Sequence, residues 1–148
     1  PLRSLLSALR DISHELPLVF PVHPRAAQAL RSGSLNPSGG NLRLIDALGY
    51  IDFLGLMKGA RVVITDSGGV QEETTYLGIP CLTVRENTER PVTVTVGTNT
   101  VVGQDVERLA DEVRRILEGD GKQGAVPPLW DGRAGERIAE IIVGGAGH

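Results

Sequence analysis

Apolar residues at Leu2, Leu5, Leu6, Leu9, Ile12 and Leu16 recur every three or four positions, which predicts an amphipathic helix over residues 2–16. The period then changes. Leu18-Val19-Phe20-Pro21-Val22 is a continuous apolar run ending in His23-Pro24, the pattern of a buried parallel strand. Residues 25–31 suit a short helix and 32–40 a turn-rich loop, followed by a second strand and its exit over 42–48. Ile51, Leu54 and Met57 favour a helix over 50–59. A strand over 62–65, a helix over about 69–77 and a strand over 80–84 complete a βαβ unit, with Gly78 placed to stop the helix. Residues 85–91 form a loop, and a fifth strand is expected near 100–102. Val106, Leu109, Val113, Ile116 and Leu117 share one face of a helix over 105–118. A linker over 119–128 and a final helix over 135–143 end the pattern.

Strands alternating with helices imply a Rossmann-like α/β fold, a doubly wound parallel sheet in a three-layer α/β/α arrangement. Ligands should then gather at the carboxyl ends of the strands, where His23, Ser67 and Arg90 are expected to share one rim.

Composition narrows the class. The 148 residues suit a single domain, and 41% hydrophobic with 22% charged is ordinary for a soluble globular chain. A net charge of −3 gives no electrostatic reason to expect nucleic acid or an anionic membrane. No apolar run nears the roughly 20 residues needed to cross a bilayer, and a cytoplasmic location is the expectation. Cys81 is the only cysteine, so zinc-ligand spacing is absent and a buried inert thiol is expected. The chain opens on Pro1 and passes straight into a helix, as expected of a piece of a longer protein.

Val62-Val63-Ile64-Thr65-Asp66-Ser67-Gly68-Gly69-Val70-Gln71-Glu72-Glu73 carries the chemistry. It predicts a short strand, a tight glycine turn and the start of a helix. Paired glycines let a ligand approach the backbone, and the first helical N–H groups lack partners within the helix. Those donors and the positive end of the helix dipole favour a phosphate, so a nucleotide or nucleotide sugar is the expected ligand class. Glu73 lies four residues beyond Gly69, about 6 Å along the same helix face. It suits either a ribose attached to that phosphate or, with Glu72, simple compensation of the helix dipole in the first turn. The guanidinium of Arg90, stiffened by Pro91, suits phosphate or sugar oxygens, and equally a surface ion pair with a glutamate. His23 suits an anion or a packed strand end, and Phe53 a stacked base or the core. No pair of acidic groups is obviously placed for proton transfer.

Taken together, Thr65 to Glu73, Leu77-Gly78-Ile79-Pro80 and Arg85-Glu86-Asn87-Thr88-Glu89-Arg90-Pro91 closely resemble the non-hydrolysing UDP-N-acetylglucosamine 2-epimerases. Pro21-Val22-His23-Pro24, Tyr50-Ile51-Asp52-Phe53, Gly97-Thr98, Val102-Gly103 and Asp131-Gly132-Arg133-Ala134 fit the same family in the same order. Residue 92 is Val where many members have Glu. The resemblance implies one half of a two-domain GT-B arrangement, the C-terminal domain, with the catalytic carboxylates in an N-terminal domain outside this chain. It further implies that Ser67, Gly68 and Gly69 hold the diphosphate of UDP or a UDP-sugar, Glu73 the ribose and Arg90 the phosphate or sugar side. Phe53 would lie against the uracil and backbone near Leu48 would read its edge. His23 matches a histidine of a regulatory site. No cofactor or metal is implied, and the full-length protein is expected to be a homodimer. The family reaction inverts C2 of the sugar, eliminating UDP and adding it back. The donor domain of a GT-B glycosyltransferase, a hydrolysing epimerase, a phosphate-binding regulatory module and an inactive folding module are the competing expectations.

Overall fold

A computed structural model describes residues 2–22 and 40–145 of the chain. The predicted 25–31 helix, most of the 32–40 loop and His23 lie outside the described residues. The elements, in order, are α1 (Leu2–Ile12), β1 (Leu18–Val22), β2 (Leu42–Asp46), α2 (Tyr50–Lys58), β3 (Val63–Thr65), α3 (Gly68–Leu77), β4 (Cys81–Thr83), α4 (Pro91–Thr95), β5 (Asn99–Val101), α5 (Val106–Glu118) and α6 (Ala134–Gly145).

Every strand pairing is parallel. β1 pairs with β2, starting Leu18 to Leu42, and β4 lies between β3 and β5 with Leu82 opposite Ile64 and Thr100. The expected sheet is present as two ladders, β1-β2 and β3-β4-β5. Pro21 offers no N–H, which suits β1 to the margin of a ladder.

Helices cover both faces of the three-stranded ladder, because side chains on β4 alternate. Leu82 points to one side, into a cluster with Ile12 of α1, Val102, and Leu109, Val113 and Ile116 of α5. Cys81 and Thr83 point to the other, towards α3, where Gln71, Thr74 and Thr75 are buried. One layer is aliphatic and the other is polar. α3 ends as its sequence suggests: Gly78 takes a left-handed conformation, φ 71°, and its N–H reaches back to the last turn of the helix.

Two segments differ from expectation. The 85–91 loop runs into a short helix, α4, that its sequence did not suggest. All four of its residues after Pro91 are valine or threonine, β-branched side chains that form helices poorly. The turn is set instead by Pro91 at its first position and by Thr93, whose hydroxyl donates to Arg90 O at 2.7 Å. The 119–128 connection is bound along its course. Lys122 Nζ donates to Val94 O and, at 2.7 Å, to Asn99 O, while Ala125 N–H donates to Val96 O at 2.9 Å. Gly124 lies so close to Gly97 that a Cβ there would sit 2.4 Å from the Gly97 carbonyl carbon.

A candidate diphosphate site at the start of α3

Thr65 ends β3, and its hydroxyl accepts from Ser67 N–H at 3.1 Å, turning the chain sharply into α3. Ser67 is the N-cap residue, with extended backbone, yet its side chain makes no capping bond. The first helical bond runs from Gln71 N–H to Ser67 O, 3.2 Å. Among the described residues, no acceptor takes the N–H groups of Gly68, Gly69 or Val70. Three adjacent donors therefore face outward at the positive end of a helix dipole, the arrangement that binds phosphate oxygens.

Arg90 closes one side of this opening. A Cβ built on Gly68 would meet Arg90 Cγ at 3.6 Å and Nε at 3.8 Å, so the arginine side chain lies against the Gly68 backbone. Its Nε sits 2.9 Å from Glu72 Oε1 in a half-exposed ion pair. That N–H is not aimed at the oxygen and makes no hydrogen bond, so the contact is electrostatic rather than directional. Nη1 reaches Glu89 O at only 3.3 Å, which leaves the outer edge of the guanidinium turned to solvent.

The position of Arg90 follows from a buried polar network that sequence reasoning missed. Gln71 Oε1 accepts from Thr88 Oγ1 at 2.5 Å and from Asn99 Nδ2 at 3.1 Å. Thr88 Oγ1 in turn accepts from Arg90 N–H at 2.9 Å. Asn99 Nδ2 also donates to Thr93 Oγ1 at 3.0 Å, and Thr83 Oγ1 donates to Asn99 Oδ1 at 2.7 Å. Gln71, Thr83, Thr93 and Asn99 are each at most 1% exposed. These four residues come from separate segments and share no period, so no sequence signal marked them.

Glu72 and Glu73 occupy the second turn of α3, not the first, so the dipole-compensation alternative fails: α3 begins at Gly68 and has no acidic residue in its opening turn. Each glutamate has its own partner. Glu72 meets Arg90, and the Glu73 carboxylate lies beside the Tyr50 hydroxyl, raising that phenol above its ordinary range chiefly by charge repulsion. Tyr50 is the first residue of α2, so the start of that helix stands near Glu73. Phe53, three residues after Tyr50, shares its helix face and is half-buried, while Leu48 is partly exposed in the β2–α2 connection. Ser67, Gly68, Gly69, Arg90 and Glu73 are thus assembled on α3 and the loop that faces it. Cys81 is 1% exposed and burial pushes its thiol up, as expected of an inert cysteine. No group of described residues is arranged to hold a metal ion, and no described helix is long and apolar enough to cross a membrane.

A family model described as UDP-N-acetylglucosamine 2-epimerase matches residues 1–143. The chain belongs to this family. The UDP-N-acetylglucosamine 2-epimerase of Methanococcus maripaludis is 39% identical over 97% of this chain and 40% of its own length. That of Escherichia coli K12 is 38% identical over 91% of this chain and 38% of its own. A crystal structure of the Methanocaldococcus jannaschii 2-epimerase in complex with UDP-GlcNAc and UDP superposes with a TM-score of 0.82 at 37% identity, across 96% of this chain and 40% of that one. The chain thus spans about two fifths of the 2-epimerases it matches, and the Rossmann-like half of a GT-B arrangement is the fold it shares with them.

Proposed function

We propose that this chain is the UDP-binding C-terminal domain of a UDP-N-acetylglucosamine 2-epimerase, which holds UDP while a separate N-terminal domain exchanges the configuration at C2 of the sugar. The observation that carries the reading is the open start of α3, three unpartnered N–H groups with Arg90 laid against them. Ser67, Gly68 and Gly69 take the diphosphate, Arg90 its outer oxygens, and Glu73 the ribose hydroxyls. Phe53 and the backbone at Leu48 take the uracil. Similarity to a 2-epimerase solved with UDP-GlcNAc and UDP supports the same ligand here.

The chemistry explains why such a half-site matters. Removal of the C2 proton is coupled to breakage of the C1–O bond, and the bonding electrons leave with UDP. Negative charge then grows on the diphosphate, where fixed N–H donors and a guanidinium stabilise it more than in the ground state. The same donors keep UDP in place until it adds back to C1 and a proton returns to the other face of C2. Glu72 is held in an ion pair with Arg90, and the acid and base of the reaction are assigned, with the family, to the other domain. The exposed apolar face of α6, with Ile138, Ile141, Ile142 and Val143, suits packing on that domain. His23 belongs in this proposal as a contact of a regulatory site. The protein works as a cytoplasmic homodimer.

Proton NMR of the protein carrying this chain, incubated with UDP-GlcNAc in D2O, tests the reading. UDP-ManNAc should appear with deuterium at C2. Release of free N-acetylmannosamine and UDP would place the protein among hydrolysing epimerases, and no turnover would refute the assignment.

A further inference from the structure

We propose that Gln71 is a positioning residue for the diphosphate site, acting through Arg90 rather than by touching the ligand. This inference rests on the assignment of Arg90 to the diphosphate. Arg90 is gripped at both ends of its own peptide. Its N–H donates to Thr88 Oγ1 at 2.9 Å, and its carbonyl accepts from Thr93 Oγ1 at 2.7 Å. Both hydroxyls lead back to one amide oxygen: Thr88 donates to Gln71 Oε1 directly, and Thr93 accepts from Asn99, which donates to that same oxygen. Gln71 stands in the first full turn of α3, three residues beyond Gly68. The side chain that ties down the Arg90 backbone therefore springs from the helix whose N–H groups Arg90 flanks.

This arrangement fixes a distance that no backbone ladder controls. β3 and β4 place the two loops, but residues 85–91 leave β4 with no strand partner of their own. The Gln71 oxygen gives that loop a buried anchor, and with it the guanidinium is held against Gly68 and beside Glu72. A buried amide with two donors on one oxygen is directional, so the loop has one seating rather than several. An apolar residue at 71 would leave the Thr88 hydroxyl and one Asn99 N–H without an acceptor. The loop would then be free to move the arginine away from the donors it completes.

The test is a double-mutant cycle read by UDP affinity in the protein carrying this chain. Gln71→Met keeps the length and removes the acceptor; we expect about tenfold weaker UDP binding, and less than about a twofold change when the same substitution is made in Arg90→Ala. Thr88→Val, at the half-exposed end of the network, breaks the same link without opening the core, and should weaken binding only while Arg90 is present. Equal losses with and without Arg90 would overturn the positioning role and leave the ligand assignment standing. An Arg90→Ala chain that binds UDP as well as the parent would overturn the ligand assignment itself, and this inference with it.

Discussion

Two helices in this domain start after a strand on the same ladder, and they finish their first turns in opposite ways. At α5, Asp105 caps its own helix: its carboxylate accepts from Glu107 N–H at 3.1 Å and Arg108 N–H at 2.9 Å. At α3, Ser67 occupies the same position and its hydroxyl makes no such bond. The first helix start is closed by the chain, and the second is left open. An uncapped start costs stability that a capping side chain would supply; in the proposed reading a ligand supplies the missing acceptors beside Arg90. The fold tolerates this because α3 is held by other means, namely its glycine stop and the buried layer of Gln71, Thr74 and Thr75 against β4.

The contrast can be broken most severely by closing α3 from within. Ser67→Asp puts a carboxylate where the diphosphate should sit and lets it cap Gly69 and Val70; UDP binding should fall by at least about a hundredfold while thermal stability holds or rises. Calorimetric titration with a parallel melt would show both, and a variant that binds UDP normally would contradict the assignment. Arg90→Ala removes the guanidinium but leaves the helix donors, so a smaller loss of about tenfold is expected for UDP, with uridine unaffected. Competition between the two ligands reads that difference. Opening α5 instead, by Asp105→Ala, should cost about 1 kcal/mol of stability in urea unfolding and leave UDP affinity unchanged.

The smallest effect concerns the turn into α6. Asp131 pairs with the Arg137 guanidinium and accepts from Arg133 N–H at 3.0 Å, and these bonds, Arg137 foremost, pull its carboxyl down to about 2 from an ordinary 3.8. A depressed carboxyl contributes stability that is complete above its unfolded pKa and lost as pH falls through the folded value. Amide signals at the start of α6 should therefore change between about pH 4 and pH 2 in the parent chain and not in Asp131→Asn.

How much of this was legible in the residues depended on periodicity. The aliphatic side of β4 was readable because Leu109, Val113 and Ile116 repeat at helical spacing, and they do meet Leu82 and Ile12. The polar side was not, because Gln71, Thr88, Thr93 and Asn99 come from four separate segments and share no period. Gln71, Thr93 and Asn99 are buried because they pair with each other and with Thr88, a property of the assembled fold. α4 escaped for a related reason: a threonine-rich turn became helical only through Pro91 and the Thr93 bond to Arg90. Ser67, Gly68, Gly69, Arg90 and Glu73 were named from the sequence, and the structure sets them on α3 and the facing loop. It changes the account of the two glutamates, which stand beyond the first turn.

The central claim is that α3, and not α5, presents its open start to a diphosphate. Amide NMR of the chain titrated with UDP and then with uridine tests it most directly. The account predicts large UDP-dependent shifts at Gly68, Gly69 and Val70 that uridine does not produce, with Glu107 and Arg108 unmoved. Shifts centred on Glu107 and Arg108, or amides of Gly68 to Val70 that ignore UDP at millimolar concentration, would contradict it.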